Sequence, residues 1–198
     1  GLYKITNGCM IQISQCCVRL SAIFLRNCKL ISDKALLDVQ KHVKKLRFLN
    51  LSYMRRMSDV GLMPLVQNGT NFQTITINHV CNLTAASWLA ISLYCTNLYK
   101  IEISLCNVTN ADVEHLLRNC RKVVDLNLTG CFNVDDESLH CITTYCPRIQ
   151  YLVLVLTSVT IYGVRYLVTR CMCMKMISQQ GGLGTRLELT SLFGSNWM

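Results

Sequence analysis

Thirteen cysteines and four histidines stand among 198 residues. These side chains could hold a metal, attack an electrophile or cross-link the chain. Structural zinc needs closely paired thiolates or imidazoles. The sequence has no Cys-x-x-Cys pair and no closely spaced His pair, and neither Cys16-Cys17 nor Cys171-x-Cys173 has the usual zinc spacing. A nucleophilic thiolate needs a base and an electropositive setting, and His42, His79, His115 and His140 recur beside no cysteine in a common pattern. An odd count of cysteines at unpaired spacings argues against a disulfide framework and for a reducing compartment. The expected location is therefore cytoplasmic or nuclear, where the Asn-x-Ser/Thr sequons at Asn50, Asn68, Asn82, Asn107 and Asn127 go unused.

Other reactive patterns are missing. There is no H-E-x-x-H and no G-x-S-x-G, and Gln180-Gly181-Gly182-Leu183-Gly184 lacks the Lys and Ser/Thr of a phosphate loop. The expectation is a protein that is not an enzyme and needs no metal or cofactor. At 51% hydrophobic and 16% charged residues, with two prolines and ten glycines, the chain is too apolar for disorder and too poor in Gly and Pro for a linker or collagen. No secretory signal pattern follows Gly1. The longest uncharged apolar stretch lies between Arg148 and Arg165, and it reads as strand, turn and helix rather than a membrane span.

The net charge of +9 is concentrated. Residues 19–56 hold ten Lys or Arg against Asp33 and Asp38, a local balance of +8. Such a cluster is either a solvated helix face or a surface favouring an acidic partner.

The elements that would position these groups emerge from an internal repeat. One template fits units starting at Leu20, Leu46, Phe72, Leu98, Val123 and Ile149, in steps of 25 or 26 residues. Within it, Ile23, Leu49, Ile75, Ile101, Leu126 and Leu152 form a second apolar column. Leu25, Leu51, Ile77, Ile103, Leu128 and Leu154 form a third, two residues on, hence on the same side of a strand. A fourth column, Ile5, Ile31, Met57, Leu83, Val108, Val134 and Val159, precedes Thr6, Ser32, Ser58, Thr84, Thr109, Asp135 and Thr160. All of the latter are helix N-cap types. Apolar pairs at i, i+3 follow: Met10/Ile13, Leu36/Val39, Leu62/Leu65, Trp88/Ile91, Val113/Leu116, Leu139/Ile142 and Val164/Leu167. They predict a short helix with one buried stripe.

Each unit is thus strand, turn and capped helix. It cannot bury its apolar side alone, but stacked units can. The expected fold is an α/β solenoid, a horseshoe with parallel strands on the concave face and short helices on the convex face. It is expected over residues 1–173, as a partial repeat at 1–19 and then six units. Residues 174–198 are expected as an irregular tail or cap, with Leu187-Glu188-Leu189 as a possible late strand. The partial first unit suggests a piece of something longer.

The repeat also accounts for most cysteines. Cys28, Cys106 and Cys131 fall three residues past the third column, and Cys17, Cys95, Cys120, Cys146 and Cys171 end the helices. At both places a free cysteine suits close packing as a small hydrophobe.

With these columns in place, the chain resembles the cysteine-containing leucine-rich repeat, roughly CxxLxxLxLxxCxxITDxxLxxLxxxC. Cys120-Arg121-Lys122-Val123-Val124-Asp125-Leu126-Asn127-Leu128-Thr129-Gly130-Cys131 is nearly that pattern, and Leu30-Ile31-Ser32-Asp33 and Cys146-Pro147-Arg148-Ile149 are similar to it. Met54, Val80 and Thr157 replace the turn cysteine, and Val43 and Gly69 the helix-end one. The resemblance implies an F-box leucine-rich-repeat protein, a substrate receptor of SCF-type ubiquitin ligases whose solenoid holds a protein substrate. In that family the F-box binds the cullin adaptor. No F-box-like segment is visible ahead of these repeats, so this chain by itself is not expected to recruit the adaptor. The same repeat subtype also implies an alternative, a scaffold in a ciliary, cytoskeletal or cell-cycle complex with no ligase role.

A solenoid binds on its concave face, so the residues flanking the buried columns are the candidates for partner contact. Aromatic residues and Arg dominate interface energetics. Phe24, Arg26 and Phe48, with Asn50 beside them and Tyr53 and Arg55 on the adjoining loop, form one candidate cluster. Lys100, Glu102 and Asp125 form a polar centre, and Tyr151 and Val153 a second apolar end. The expected partner is a protein. Neither a membrane nor a nucleic acid is expected, since no recognition motif or aromatic stacking ladder is present.

Overall fold

Three-residue strands alternate with short helices between Asn7 and Ser178. The structure, a computed structural model, describes residues 4–67, 69–178, 180–181 and 185–186. In order come α1 (Asn7–Cys16), β1 (Ala22–Phe24), α2 (Asp33–His42), β2 (Phe48–Asn50), α3 (Asp59–Gln67), β3 (Thr74–Thr76), α4 (Ala85–Tyr94), β4 (Lys100–Glu102), α5 (Asn110–Asn119), β5 (Asp125–Asn127), α6 (Asp136–Tyr145), β6 (Tyr151–Val153), α7 (Ile161–Val168) and β7 (Met176–Ser178). The seven strands make one parallel sheet in sequential order. Each helix packs on the next, forming a second layer behind the sheet.

The sheet register is the sequence register. Ile23, Leu49, Ile75, Ile101, Leu126 and Leu152 pair in one row, and Ile177 of β7 continues it. All members of the second and third columns are buried, and in the first column only Leu20 is partly exposed. β7 therefore adds a strand past residue 173. Beyond it, β8 (Gln180–Gly181) pairs antiparallel with β9 (Thr185–Arg186). Leu187-Glu188-Leu189 lies outside the described residues. Among the described residues no helix is long and apolar enough to cross a membrane.

The repeat's first turn departs from two expectations. Ile13, the second member of its helix pair, and Cys17, which ends α1, are exposed, because no described repeat covers that side. The remaining members of the helix pairs are buried.

The parallel ladder outlasts the strands. The N–H of Asn27, Tyr53, His79 and Leu105 donates to Ser52, Asn78, Ser104 and Thr129 carbonyls at 2.8, 2.8, 2.7 and 2.6 Å, and that of Gly130 to Val155 at 2.8 Å. These donors, with Leu156, share a left-handed backbone, φ between 54° and 69°. The left-handed region costs a non-glycine residue roughly 1–2 kcal/mol, which an inter-repeat hydrogen bond offsets. Asn27, His79 and Gly130 are of types enriched in such a bend, whereas Tyr53, Leu105 and Leu156 are not.

A second ladder joins the helix N-termini. Asn7 Oδ1 accepts from Ser32 N–H at 2.9 Å. Asp33 accepts from Ser58 N–H and hydroxyl at 2.9 and 2.6 Å. Asp59 does the same for Thr84 at 3.0 and 2.7 Å, and Asp136 for Thr160 at 2.7 and 2.6 Å. Asn110 Oδ1 accepts from Asp135 N–H at 3.1 Å. The first residue of one helix thus fixes the N-cap of the next. Ser32 itself makes no side-chain cap bond, contrary to its expected role, and instead accepts from Asn7 Nδ2 at 2.9 Å.

Candidate protein-binding face

The strand residues that flank the buried column face away from the helices and stack into rows. One row runs Ala22, Phe48, Thr74, Lys100, Asp125, Tyr151, Met176, and the next runs Phe24, Asn50, Thr76, Glu102, Asn127, Val153, Ser178. The sheet register therefore brings the sequence-selected strand residues onto one side, in three zones.

In the first zone Phe24 is 61% exposed, a large apolar surface beside the exposed Arg26. The Arg26 guanidinium lies 5.2 Å from the Tyr53 ring centre, and Tyr53 lies 5.1 Å from the His79 ring. Arg26, Tyr53 and His79 make a stack across three repeats, with the cation over the electron-rich ring face. Phe48 is half-buried, with the Arg47 guanidinium 5.8 Å from its ring centre. His79 and Arg47 were not singled out in the sequence. His79 carried no signal, whereas Arg47 occupies the position just ahead of a strand, as Lys175 does.

Two further candidates in this zone sit at or beyond the strand end. Asn50 Oδ1 accepts from Ser52 N–H at 3.0 Å, and Asn127 does the same for Thr129. Asn78 Oδ1 reaches across to Ser104 N–H at 2.8 Å. The Asn50 carboxamide oxygen thus shapes the strand end. Arg55 is exposed on the loop, and no described contact joins its side chain to Tyr53.

In the middle zone Lys100 Nζ sits 2.8 Å from Glu102 and 2.9 Å from Asp125. Hydrogen bonding to Glu102 raises the Lys100 pKa, burial opposes it, and Asp125 adds to the rise. Lys100 stays cationic, and the three residues act as one internally bridged group. In the last zone exposed Tyr151 stands beside half-buried Val153, with Lys175 Nζ 5.9 Å from the Tyr151 ring and exposed Met176 next in the row.

The buried cysteines belong to the frame instead. Buried thiols donate to carbonyls of the preceding repeat: Cys106 to Ile77 at 3.0 Å, Cys131 to Ile103 at 3.1 Å, Cys120 to Cys95 at 3.5 Å and Cys146 to Cys120 at 3.6 Å. Burial pushes the Cys106 thiol up to about 11 and those of Cys120, Cys131 and Cys146 up to about 12. Such thiols are protonated and poor nucleophiles at neutral pH. Among the described residues no group of three or more His, Cys, Asp or Glu could hold a metal ion.

No family model matches the sequence. In structure the chain is similar to a chain of the Rad7–Elc1 complex of yeast, with a TM-score of 0.62 and 16% identity over 85% of this chain and 51% of that one. It thus spans about half the length of the yeast chain. It is also similar to the tropomodulin C-terminal domain of Caenorhabditis elegans, with a TM-score of 0.55 and 13% identity over 71% of this chain and 91% of that one. At such identities the likeness concerns the fold, and it agrees with the in-register columns: the chain is a leucine-rich-repeat solenoid, parallel strands on its concave face and short helices on its convex face.

Proposed function

We propose that this chain is a protein-binding module that grips a partner polypeptide on its strand face, and that it serves as the substrate-recognition repeat region of an F-box-type SCF ubiquitin ligase subunit. The observation that carries the binding role is Phe24, an exposed phenyl ring on a sheet surface, flanked by the Arg26–Tyr53–His79 stack. Aromatic and Arg side chains held in place by neighbours lose little freedom on binding and gain most from desolvation. The ligase role draws on the cysteine-containing repeat pattern. It is also compatible with the yeast neighbour, which was solved in complex with a second protein, Elc1. In this reading Phe24, Arg26, Phe48 and Tyr53 form one anchor and Tyr151 with Val153 the other. The Lys100–Glu102–Asp125 group supplies polar contacts between them.

A scaffold role in a ciliary, cytoskeletal or cell-cycle assembly is the second reading, with which the fold likeness to the tropomodulin domain is compatible. The two readings separate in one experiment. The protein expressed from its full natural transcript is purified from cells and tested for the cullin adaptor and for ubiquitination of whatever it binds. Recovery of the adaptor, with ubiquitination lost in Phe24→Ala/Arg26→Ala, supports the receptor. A bound partner without adaptor or ubiquitination supports the scaffold.

A further inference from the structure

The cations concentrated at residues 19–56 do not form one face. Arg26, Lys29, Arg55 and Arg56 lie between strand ends and helix starts, Lys34 and Lys41 on α2, and Arg19, Lys44, Lys45 and Arg47 at the opposite rim, where helices end and strands begin. The solenoid extends that second rim with Arg121, Lys122, Arg148, Arg170 and Lys175. All nine of these rim cations are exposed, and the connecting segments 17–21, 43–47, 95–99, 120–124, 146–150 and 169–175 contain no Asp or Glu.

Cations near helix C-termini have a local use, because they meet the negative end of the helix dipole. Lys44, Arg121 and Arg170 do this, donating to the carbonyls of Gln40, Arg118 and Tyr166. Arg19, Lys45 and Arg148 make no side-chain hydrogen bond or ion pair among the described residues. The nearby carboxylates are engaged elsewhere: Glu114 with Arg118 at 2.6 Å, and Glu102 and Asp125 with Lys100. The rim is therefore a strip of uncompensated positive charge.

Its middle is a shallow groove. Arg47 and Lys122 stand at its ends, with Asn71, Gln73, Asn97 and Tyr99 between them. Asn71 Nδ2 donates to the Lys44 carbonyl at 3.4 Å, Asn97 Nδ2 to the Thr70 carbonyl at 2.7 Å, and Lys122 Nζ to Asn97 Oδ1 at 2.5 Å, so the floor is held in place by inter-repeat bonds. Tyr99 is exposed.

We propose that this groove and rim dock an extended acidic segment of a partner polypeptide, with carboxylates over Arg47 and Lys122 and the backbone across Tyr99 and the carboxamides. Arg47 and Lys122 are three repeats apart. At about 4.8 Å per strand that is roughly 14 Å, the length of about four or five residues of extended chain. One cation at each end of a groove this long suits a single extended chain, and carboxamides supply both donors and acceptors, matching the alternating C=O and N–H of a peptide. A phosphodiester strand presents acceptors to such a floor and calls for stacking platforms, and Tyr99 is the groove's one aromatic residue. The rim meets the strand face only at Arg47, which stands over Phe48; it excludes Phe24 and Arg26, and this docking site does not depend on the strand-face reading.

The test is fluorescence anisotropy with the whole 198-residue chain. The probes are a labelled oligoglutamate of about ten residues and a labelled oligothymidylate of matching charge, across a salt series. Arg47→Glu/Lys122→Glu is compared with the charge-matched Lys34→Glu/Lys41→Glu on α2, and circular dichroism checks folding. If the first pair fails to fold, Arg47→Gln/Lys122→Gln replaces it. The expected result is oligoglutamate affinity roughly tenfold weaker or more in the rim variant and within about twofold of the parent in the α2 variant, with Tyr99→Ala also weakening it. Equal weakening by both charge-changed pairs, no oligoglutamate binding at low salt, or tighter binding of oligothymidylate would each overturn the proposal.

Discussion

Asp59 holds Thr84. Its two carboxylate oxygens accept from the Thr84 N–H and hydroxyl at 3.0 and 2.7 Å, so the start of one helix caps the start of the next. The relation recurs through Asp33–Ser58 and Asp136–Thr160, and it makes the spacing of neighbouring repeats depend on single carboxylates.

Removing such a carboxylate should loosen the stack. Asp59→Ala is expected to cost about 1–2 kcal/mol, the loss of a cap and its hydrogen bonds. Burial alone would raise the Asp59 pKa, but hydrogen bonds from Ser87 and Thr84 outweigh it and hold the carboxyl below its usual range. Its contribution is complete above the unfolded carboxylate pKa of about 3.9 and is lost as pH falls through the lower folded value. Thermal melts from pH 6 down to about 3 should show the parent losing more stability on acidification than Asp59→Ala. Parallel losses would contradict the assignment.

The ladder has one gap, and it is filled locally. Ala85 stands where α1, α2, α3, α5 and α6 place Asp or Asn, and it cannot reach Thr109. Instead Asp112, within the same helix as its cap, accepts from the Thr109 N–H and hydroxyl at 3.0 and 2.7 Å. The corresponding third helix positions elsewhere are small, and at Gly61 and Gly163 a Cβ would overlap Asp33 and Asp136. Asp112→Ser is therefore expected to destabilise by about 1 kcal/mol, and adding Ala85→Asp to recover most of that loss. A double-mutant cycle in urea that finds the two changes additive would reject the exchange.

Thiol chemistry should follow burial. Cys9, Cys16, Cys17, Cys81 and Cys173 are exposed, and Cys95, Cys106, Cys120, Cys131 and Cys146 are buried. Thr6 donates to the Cys9 sulfur and lowers its pKa. Brief alkylation near pH 8 followed by mass spectrometry should label the exposed group first, Cys9 fastest, and reach the buried group only in denaturant. Native adducts at Cys120 or Cys146 would place those residues wrongly.

The stacked columns carry the core. Leu126 is buried between Ile101 and Leu152 in the sheet register, so Leu126→Ala should cost about 2–5 kcal/mol through the lost contacts and the cavity left behind. A melt unchanged within error would count against the register.

Much of this was legible from residue types. Apolar columns two apart and N-cap residues at a fixed phase reflect burial and hydrogen-bond satisfaction, which act on every repeat alike, so Leu49, Leu126 and Thr84 declare their places. The left-handed turns at Tyr53 and Leu105 were not legible, because the inter-repeat ladder imposes a conformation those residues do not prefer. The strand-face rows followed from the period, but not the pairing within them: Lys100 bridges Asp125 from the next repeat, and Tyr53 meets His79 one repeat on. The charge cluster at 19–56 misled in a different way, since neighbours in sequence were sent to opposite rims.

Partner capture on the strand face is tested most directly by site-specific photo-cross-linking in cells. A photoreactive side chain is placed at Phe24 or Tyr151 on the sheet, and at Tyr162, 75% exposed on the helical side, as the reference position. Discrete adducts of the same partner from positions 24 and 151, with none from 162, are the predicted result. Adducts from 162 alone would place the partner on the opposite side of the solenoid.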